Sequence, residues 1–132
     1  MFQDETHFYF LCKSKNKQNK DVVQLLRSVN NNETKEQMLL LNENKINDSF
    51  VGATVCLRID AKKNKYSFLY KVGSNEWRVL KDSVDARFLS TKVAGGFVGC
   101  VYAMYATSMG RKSSNMAYFY WFEYVGKHEK FK

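Results

Sequence analysis

Several features are scarce in this chain of 132 residues, and each scarcity excludes a class of function. No apolar run approaches the roughly 20 residues that a helix needs to cross a bilayer, so we expect no membrane association. The amino-terminal residues lack the basic and apolar regions of a secretory signal, which favours a cytoplasmic location. The two histidines, His7 and His128, have no Ser or Cys motif beside them, and no catalytic triad is visible.

Cysteine is also scarce. Cys12, Cys56 and Cys100 lie in apolar stretches, with no close pair and no Cys/His spacing that suits zinc. We interpret them as buried free thiols, which fits a reducing compartment. The sequence therefore predicts no metal and no cofactor.

Acidic residues are outnumbered: 13 Asp and Glu face 21 Lys and Arg, for a formal net charge of +8. Such a balance can attract anions. The lysines are dense only over residues 13–20 and 62–65, and both stretches look like solvated turns. Because no recognised nucleic-acid motif accompanies them, we expect no nucleic-acid partner, and an anion-binding domain is the weakest alternative.

Apolar and aromatic side chains, by contrast, are plentiful, at 45% and 15% of the chain. One domain over residues 1–132 is the expectation for this length. In residues 53–60, Val55, Leu57 and Ile59 alternate with Arg58 and Asp60, which is typical of a half-buried antiparallel strand. Related patterns predict strands over residues 6–13, 21–27, 37–41, 53–60, 66–72, 77–80, 98–106 and 117–125. Short strands at this spacing indicate an all-β sandwich, jelly roll or partial barrel.

Two aromatic features admit two interpretations each. Trp77 begins the return strand of a hairpin over residues 66–80, where it is either a sugar-stacking platform or, as we favour, packed against the aromatic face of its own hairpin. The nearly continuous aromatic run at residues 117–124 either binds sugar rings or, as we favour, forms a central strand buried between two sheets. Any two of four carboxylates either form an acid/base pair or, as we favour, are hairpin and surface charges: Asp60, Asp82, Asp85 and Glu123.

Several runs resemble a known family. They are residues 84–99, with Leu-Ser-Thr at 89–91 and Val-Ala-Gly-Gly-Phe at 93–97, residues 102–106, and residues 119–124, with Trp-Phe-Glu-Tyr at 121–124. The hairpin at 66–80 and residues 2–11 add to the likeness. Together they closely resemble the C-terminal domain of glycoside hydrolase family 43 β-xylosidases and α-L-arabinofuranosidases.

The resemblance implies an all-β, concanavalin A-like (jelly-roll) β-sandwich that normally follows a five-bladed β-propeller. In the family, two Asp and one Glu on the propeller perform inverting hydrolysis. Nothing in this chain matches those propeller motifs, so no catalytic residue is carried over and the chain is expected to be inactive alone. A loop of related sandwiches completes the sugar pocket with a phenylalanine, which corresponds here to Phe97, with Gly95 and Gly96 shaping the loop. Phe97 as an anchor in the chain's own core is the equal alternative.

Two departures from the family affect the expectation. Related domains usually carry acids in the last strand where this chain has Tyr118 and Tyr120, which puts any ion contact of those acids in doubt. Family sandwiches are longer at the N-terminus, so we expect an incomplete sandwich, the C-terminal portion of a longer domain, with exposed sheet edges that favour self-association.

The resulting hypothesis is a non-catalytic accessory domain in xylan degradation. Its partner is a catalytic β-propeller in the same or an upstream chain, and it meets a xylo-oligosaccharide or arabinoside substrate through that partner. The alternative is a free-standing carbohydrate-binding module or lectin that stacks sugars on Trp77 or Tyr102.

Overall fold

The structure is a computed structural model that describes residues 2–4, 7–29, 38–50, 52–62, 64–85, 102, 104, 118, 119 and 121–124. The chain divides into two compact units, residues 1–102 and residues 103–132. Within the described ranges, no helix is long and apolar enough to cross a membrane.

The first unit consists of two antiparallel sheets. The first sheet contains, in spatial order, β1 (Phe2–Asp4), β2 (His7–Lys15), β3 (Asp21–Ser28) and β4 (Met38–Lys45). A short 3-10 helix (Asp48–Phe50) follows, and the second sheet contains β5 (Val55–Lys62), β6 (Lys65–Val72) and β7 (Arg78–Asp85). The strands predicted over residues 6–13, 21–27, 37–41, 53–60, 66–72 and 77–80 are thereby confirmed, with ends that differ by a few residues.

β6 is the middle strand of the second sheet, and its side chains alternate between buried and partly buried. Tyr66, Phe68, Tyr70 and Val72 are buried, while the residues between them are only partly covered. Successive side chains of a strand point to opposite faces, so this pattern directs one face inward. We call the face that carries Ser67, Leu69 and Lys71 the outer face of the second sheet.

β3 is covered on both faces. Val22 and Val23 point in opposite directions, and both are 0% exposed. Val23 belongs to the hydrophobic core cluster between the sheets, whereas Val22 lies on the other side of its strand. Burial on both faces is typical of a central strand.

The two turns predicted from lysine-rich stretches are only partly turns. Lys17 and Lys20 flank a turn held by Asn16, whose side-chain oxygen accepts hydrogen bonds from the backbone amides of residues 18 and 20 at 3.0 Å each. Lys15 instead lies within β2, two residues beyond the end of the predicted strand over residues 6–13. It is opposite Asp21 in the β2–β3 ladder, and its Nζ contacts the buried carboxylate of Asp21 at 3.2 Å, a partner that local polarity does not reveal.

The turn between β6 and β7 does need its glycine. Gly73 has φ of +59°, a backbone conformation that L side chains rarely adopt. Its amide donates to the carbonyl of Thr54 at 2.8 Å, and the amide of Asn75 donates to the carbonyl of Val72 at 3.1 Å. The predicted hairpin over residues 66–80 is therefore present.

The two sheets face each other across a mixed aliphatic and aromatic core. The ring centroids of Tyr9, on β2, and Phe68, on β6, lie 5.6 Å apart. The Tyr9 hydroxyl donates to the carbonyl of Asp85 at 3.2 Å, and the side-chain amide of Asn44 donates to the hydroxyl of Tyr70 at 3.1 Å. A further hydrogen bond joins the Asn42 side chain to the carbonyl of Leu80. These contacts make the first unit a two-layer sandwich, which is one of the three architectures that the strand pattern indicated and the one that the resemblance implied.

The second unit is described only at residues 104, 118, 119 and 121–124. None of these lies in a strand, and Tyr118 and Trp121 are 70% and 61% exposed. The prediction of a buried aromatic strand over 117–125 is wrong for these residues, because a local pattern gives strand propensity but no pairing partner. Of the strand predicted over 98–106, residues 102 and 104 are not in a strand, and the other positions lie outside the described residues.

Candidate functional site

Trp77 lies between the β6–β7 turn and the start of β7, and its ring is half-buried. The guanidinium carbon of Arg58 is 5.6 Å from the ring centroid, and Nζ of Lys71 is 5.0 Å from it. Both distances fall within the range of a cation–π interaction, each worth about 0.5–1 kcal/mol at an exposed site. We call Trp77, Arg58 and Lys71 together the Trp77 patch.

The strand register explains why these cations lie on one face. Arg58 of β5 is opposite Leu69 of β6, and Cys56 is opposite Lys71. Arg58 and Lys71 are therefore diagonal neighbours on the outer face, within reach of one large ring. The predicted partners of Trp77, the rings of residues 66, 68 and 70, face the core instead. Trp77 thus contacts its own hairpin through Lys71, but on the opposite face from the one predicted.

The charges of the Trp77 patch are unevenly balanced. Nε of Arg58 contacts Oδ1 of Asp60 at 2.7 Å, so this cation is paired. Among the described residues, the ion pairs join other side chains, and no carboxylate lies within 4.0 Å of Nζ of Lys71. The patch consequently presents an indole ring with one unpaired positive charge beside it.

Asp82 lies on the same sheet, on β7. The Ser67 hydroxyl, and next the backbone amide of Ser83, donate hydrogen bonds to its carboxylate and lower the pKa of Asp82 below its usual value. A general acid of a glycosidase needs a raised pKa, so Asp82 is unsuited to that role. Asp60, which pairs with Arg58, is also engaged. The described residues contain no group of three or more potential metal ligands.

Two cysteines are described, and both are free and half-buried. Burial raises the pKa of the Cys12 thiol to about 11. Because the thiolate is the nucleophile, Cys12 is poorly suited to covalent catalysis at neutral pH.

A shallow cavity of about 280 Å³ opens at one end of the first sheet. Lys20, Lys45, Ile46, Asn47 and Asp48 line it. Nζ of Lys20 lies 3.8 Å from Oδ2 of Asp48, which partly neutralises the cavity. Its volume falls just below the range of about 300–1,000 Å³ that is typical of ligand pockets.

Comparison with known families adds a second, independent line of evidence on the fold and the family of the chain. A family model described as the β-xylosidase C-terminal concanavalin A-like domain matches residues 1–125 of the 132. The chain belongs to this family. The resemblance seen in the sequence is confirmed, and the two facing sheets agree with the concanavalin A-like sandwich that the family name implies. No solved structure matches the chain.

Of the predicted site residues of this β-xylosidase C-terminal domain, the structure describes Trp77 and Tyr102. Tyr102 is half-buried and packs against the hydrophobic core cluster. Phe97, Gly95 and Gly96 are within the matched span but lie outside the described residues. Tyr120 also lies outside them. The roles of Phe97, Trp77 and Tyr102 in sugar binding stay predictions.

Arg58 and Lys71 were missed as site residues by the sequence reasoning. The signal was present in part, because Arg58 occupies the polar face of an alternating strand. Its pairing with Trp77 depends on the β5–β6 register and on the path of the chain after Gly73, neither of which the alternation determines.

Proposed function

We propose that the chain is a non-catalytic accessory domain of a glycoside hydrolase family 43 enzyme, a β-xylosidase or α-L-arabinofuranosidase. In this proposal it packs on a catalytic β-propeller and helps to wall the sugar pocket. The observation that carries the proposal is the family match over residues 1–125 together with the two-layer sandwich.

Three of the described carboxylates are poorly suited to act as the catalytic acid of a glycosidase. Inverting glycosidases need one carboxylic acid with a raised pKa and one carboxylate that activates water. Asp60 pairs with Arg58, Asp21 pairs with Lys15, and the pKa of Asp82 is lowered. The lowered pKa of Asp82 is opposite to what the acid needs, and the other two carboxylates are engaged in ion pairs.

Phe97 is the residue that we assign to the partner's pocket. An aromatic ring can wall a pocket against the apolar face of a pentose, and Gly95 and Gly96 before it allow a tight backbone turn. Burying one phenylalanine side chain contributes about 1.5–3 kcal/mol, which corresponds to roughly 10- to 100-fold in kcat/KM.

The Trp77 patch argues against the alternative of a module that stacks neutral sugars on Trp77. Arg58 and Lys71 already lie close to the ring, so a neutral sugar has to compete with two cation–π contacts for it.

Turnover of aryl β-xyloside and aryl α-arabinofuranoside tests the proposal. The chain alone is expected to be inactive, and a family 43 propeller joined to it is expected to be active. Phe97→Ala in that combined enzyme should lower kcat/KM by about 10-fold or more. Phe50→Ala, at an exposed phenylalanine of the 3-10 helix, is the matched control and should change little.

Two results would contradict the proposal. The first is hydrolysis by the chain alone that disappears when one of its own Asp or Glu residues is replaced. The second, which bears only on Phe97, is unchanged kinetics of the Phe97→Ala enzyme.

A further inference from the structure

The Trp77 patch combines two properties that one class of ligand matches. Its half-buried indole ring offers an apolar platform, and Lys71 offers an ammonium group with no carboxylate partner within 4.0 Å among the described residues. The whole chain, these cations included, has a formal net charge of +8. A ligand that fits must present an apolar ring face and a negative charge next to it.

We propose that the Trp77 patch binds a carboxylate-bearing sugar, a uronic acid residue of an acidic glycan, on the outer face of the second sheet. That the ring of the ligand is a sugar rests on the proposed function. The choice of an acidic sugar rests on the two cations at the Trp77 ring. Lys71 and the free nitrogens of the Arg58 guanidinium donate to the carboxylate, and the pyranose ring contacts the indole.

The arrangement discriminates against neutral sugars for an electrostatic reason. A neutral ring that displaces Lys71 from the indole loses a cation–π contact and gains no ionic contact in return. A uronic acid keeps the ammonium near the ring and adds a charge-assisted hydrogen bond to it. Asp60 contributes as well, because it holds Nε of Arg58 at 2.7 Å and so orients the rest of the guanidinium.

The geometry favours an extended glycan over a small anion. Arg58, on β5, is exposed, and Val79, on β7, is 55% exposed; these two strands border the second sheet among the strands that the structure describes. The outer face is thus open on both sides of Trp77, so a polymer can pass across it. A site for inorganic phosphate alone would need no aromatic platform.

Calorimetric titration of the 132-residue chain tests the proposal with two matched ligands. One is a xylo-oligosaccharide that carries a single glucuronic acid branch. The other is the same molecule with its carboxyl group reduced to the alcohol, which preserves size and shape. We expect the acidic ligand to bind at least about fivefold more tightly, and the difference to shrink at high salt.

Single substitutions test which residues cause the preference for the acidic ligand. Lys71→Gln and Arg58→Gln should each remove most of the preference for the acidic ligand, and Trp77→Ala should weaken both ligands by about 10-fold. Lys65→Gln is the matched control, because it makes the same charge change on the same face of β6, roughly 20 Å from Lys71 along the strand. It should leave the preference intact. If Trp77→Ala shifts the midpoint of urea unfolding, Trp77→Phe, which keeps an aromatic ring, replaces it in the titrations.

The outcomes separate this proposal from the proposed function. Absence of binding, equal affinity for the two ligands, an equal loss with Lys65→Gln, or full competition by inorganic phosphate overturns the acidic-sugar site. None of these results affects the Phe97 kinetics in a propeller enzyme. Conversely, unchanged kinetics of Phe97→Ala would overturn the pocket role and leave the acidic-sugar site standing.

Discussion

The contact between Tyr9 and Phe68 is the most direct test that the two sheets form one core. Tyr9 belongs to the first sheet and Phe68 to the second, and their ring centroids are 5.6 Å apart. Phe68 is 0% exposed and Tyr9 is 4% exposed. Replacing both with leucine keeps the core apolar, but it removes the contact between the two rings, the contacts that each ring makes with Tyr66, and the Tyr9 hydroxyl.

The expected magnitudes follow from these contacts. Phe68→Leu conserves most of the volume and should lower the free energy of unfolding by about 1–1.5 kcal/mol. Tyr9→Leu should lower the free energy of unfolding by about 1 kcal/mol more than Phe68→Leu does, because the hydrogen bond to the carbonyl of Asp85 is also lost. The double variant should be less destabilised than the sum of the two by about 0.5–1.5 kcal/mol, the energy of an aromatic pair.

Urea unfolding of the four chains measures this coupling. With a slope of about 1–3 kcal/mol per molar urea, a coupling of 1 kcal/mol moves the midpoint by roughly 0.3–1 M. Val22→Ala combined with Phe68→Leu is the control, since Val22 is fully buried on the opposite face of β3, and it should be additive within about 0.5 kcal/mol. Additivity of Tyr9→Leu and Phe68→Leu would refute the packing of these rings across the sheets.

Two pH-dependent predictions follow from perturbed groups. Burial raises the pKa of Cys12 from 9.0 to about 11, so in this window the folded chain keeps a proton that the unfolded chain loses. Stability should therefore fall by up to about 3 kcal/mol as the pH rises from about 9 to about 11, and Cys12→Ala should flatten that decline in urea unfolding. For Asp82, hydrogen bonds from Ser67 and Ser83 lower the pKa, so its stabilising effect is present above the unfolded pKa and is lost as the pH falls through the folded one. Ser67→Ala should raise the pKa of Asp82 in an NMR titration, whereas an unmoved titration curve would show that the hydroxyl does not act on it.

The parts of the fold that the sequence predicted are those with local causes. The alternation of Val55, Leu57 and Ile59 with polar residues identified β5, and glycine at position 73 identified the turn after β6. Side-chain period and turn conformation are properties of a few neighbouring residues, so they can be inferred from a single chain.

The parts that the sequence did not predict depend on distant partners. The neighbours of Trp77 are set by the register that places Arg58 opposite Leu69 and Lys71 opposite Cys56. Lys15 lies opposite Asp21, six positions away, in the β2–β3 ladder, and neither this pairing nor their ion pair can be read from the local sequence. Aromatic composition gave strand propensity at residues 117–124 but could not supply a neighbouring strand for the described part of that run.

The irregular course of β7 has a consequence for how the molecule behaves at high concentration. Its pairing with β6 shifts register twice, and Ser83 adopts a positive φ of 55° although it has a side chain. An extended strand from another molecule needs a flat, evenly spaced row of backbone groups to add to, and a doubly bulged border that also carries Lys81 and Asp82 does not provide one. Among the described strands β7 borders the second sheet, and this border should therefore resist the repeated addition of strands from other molecules that leads to fibrils.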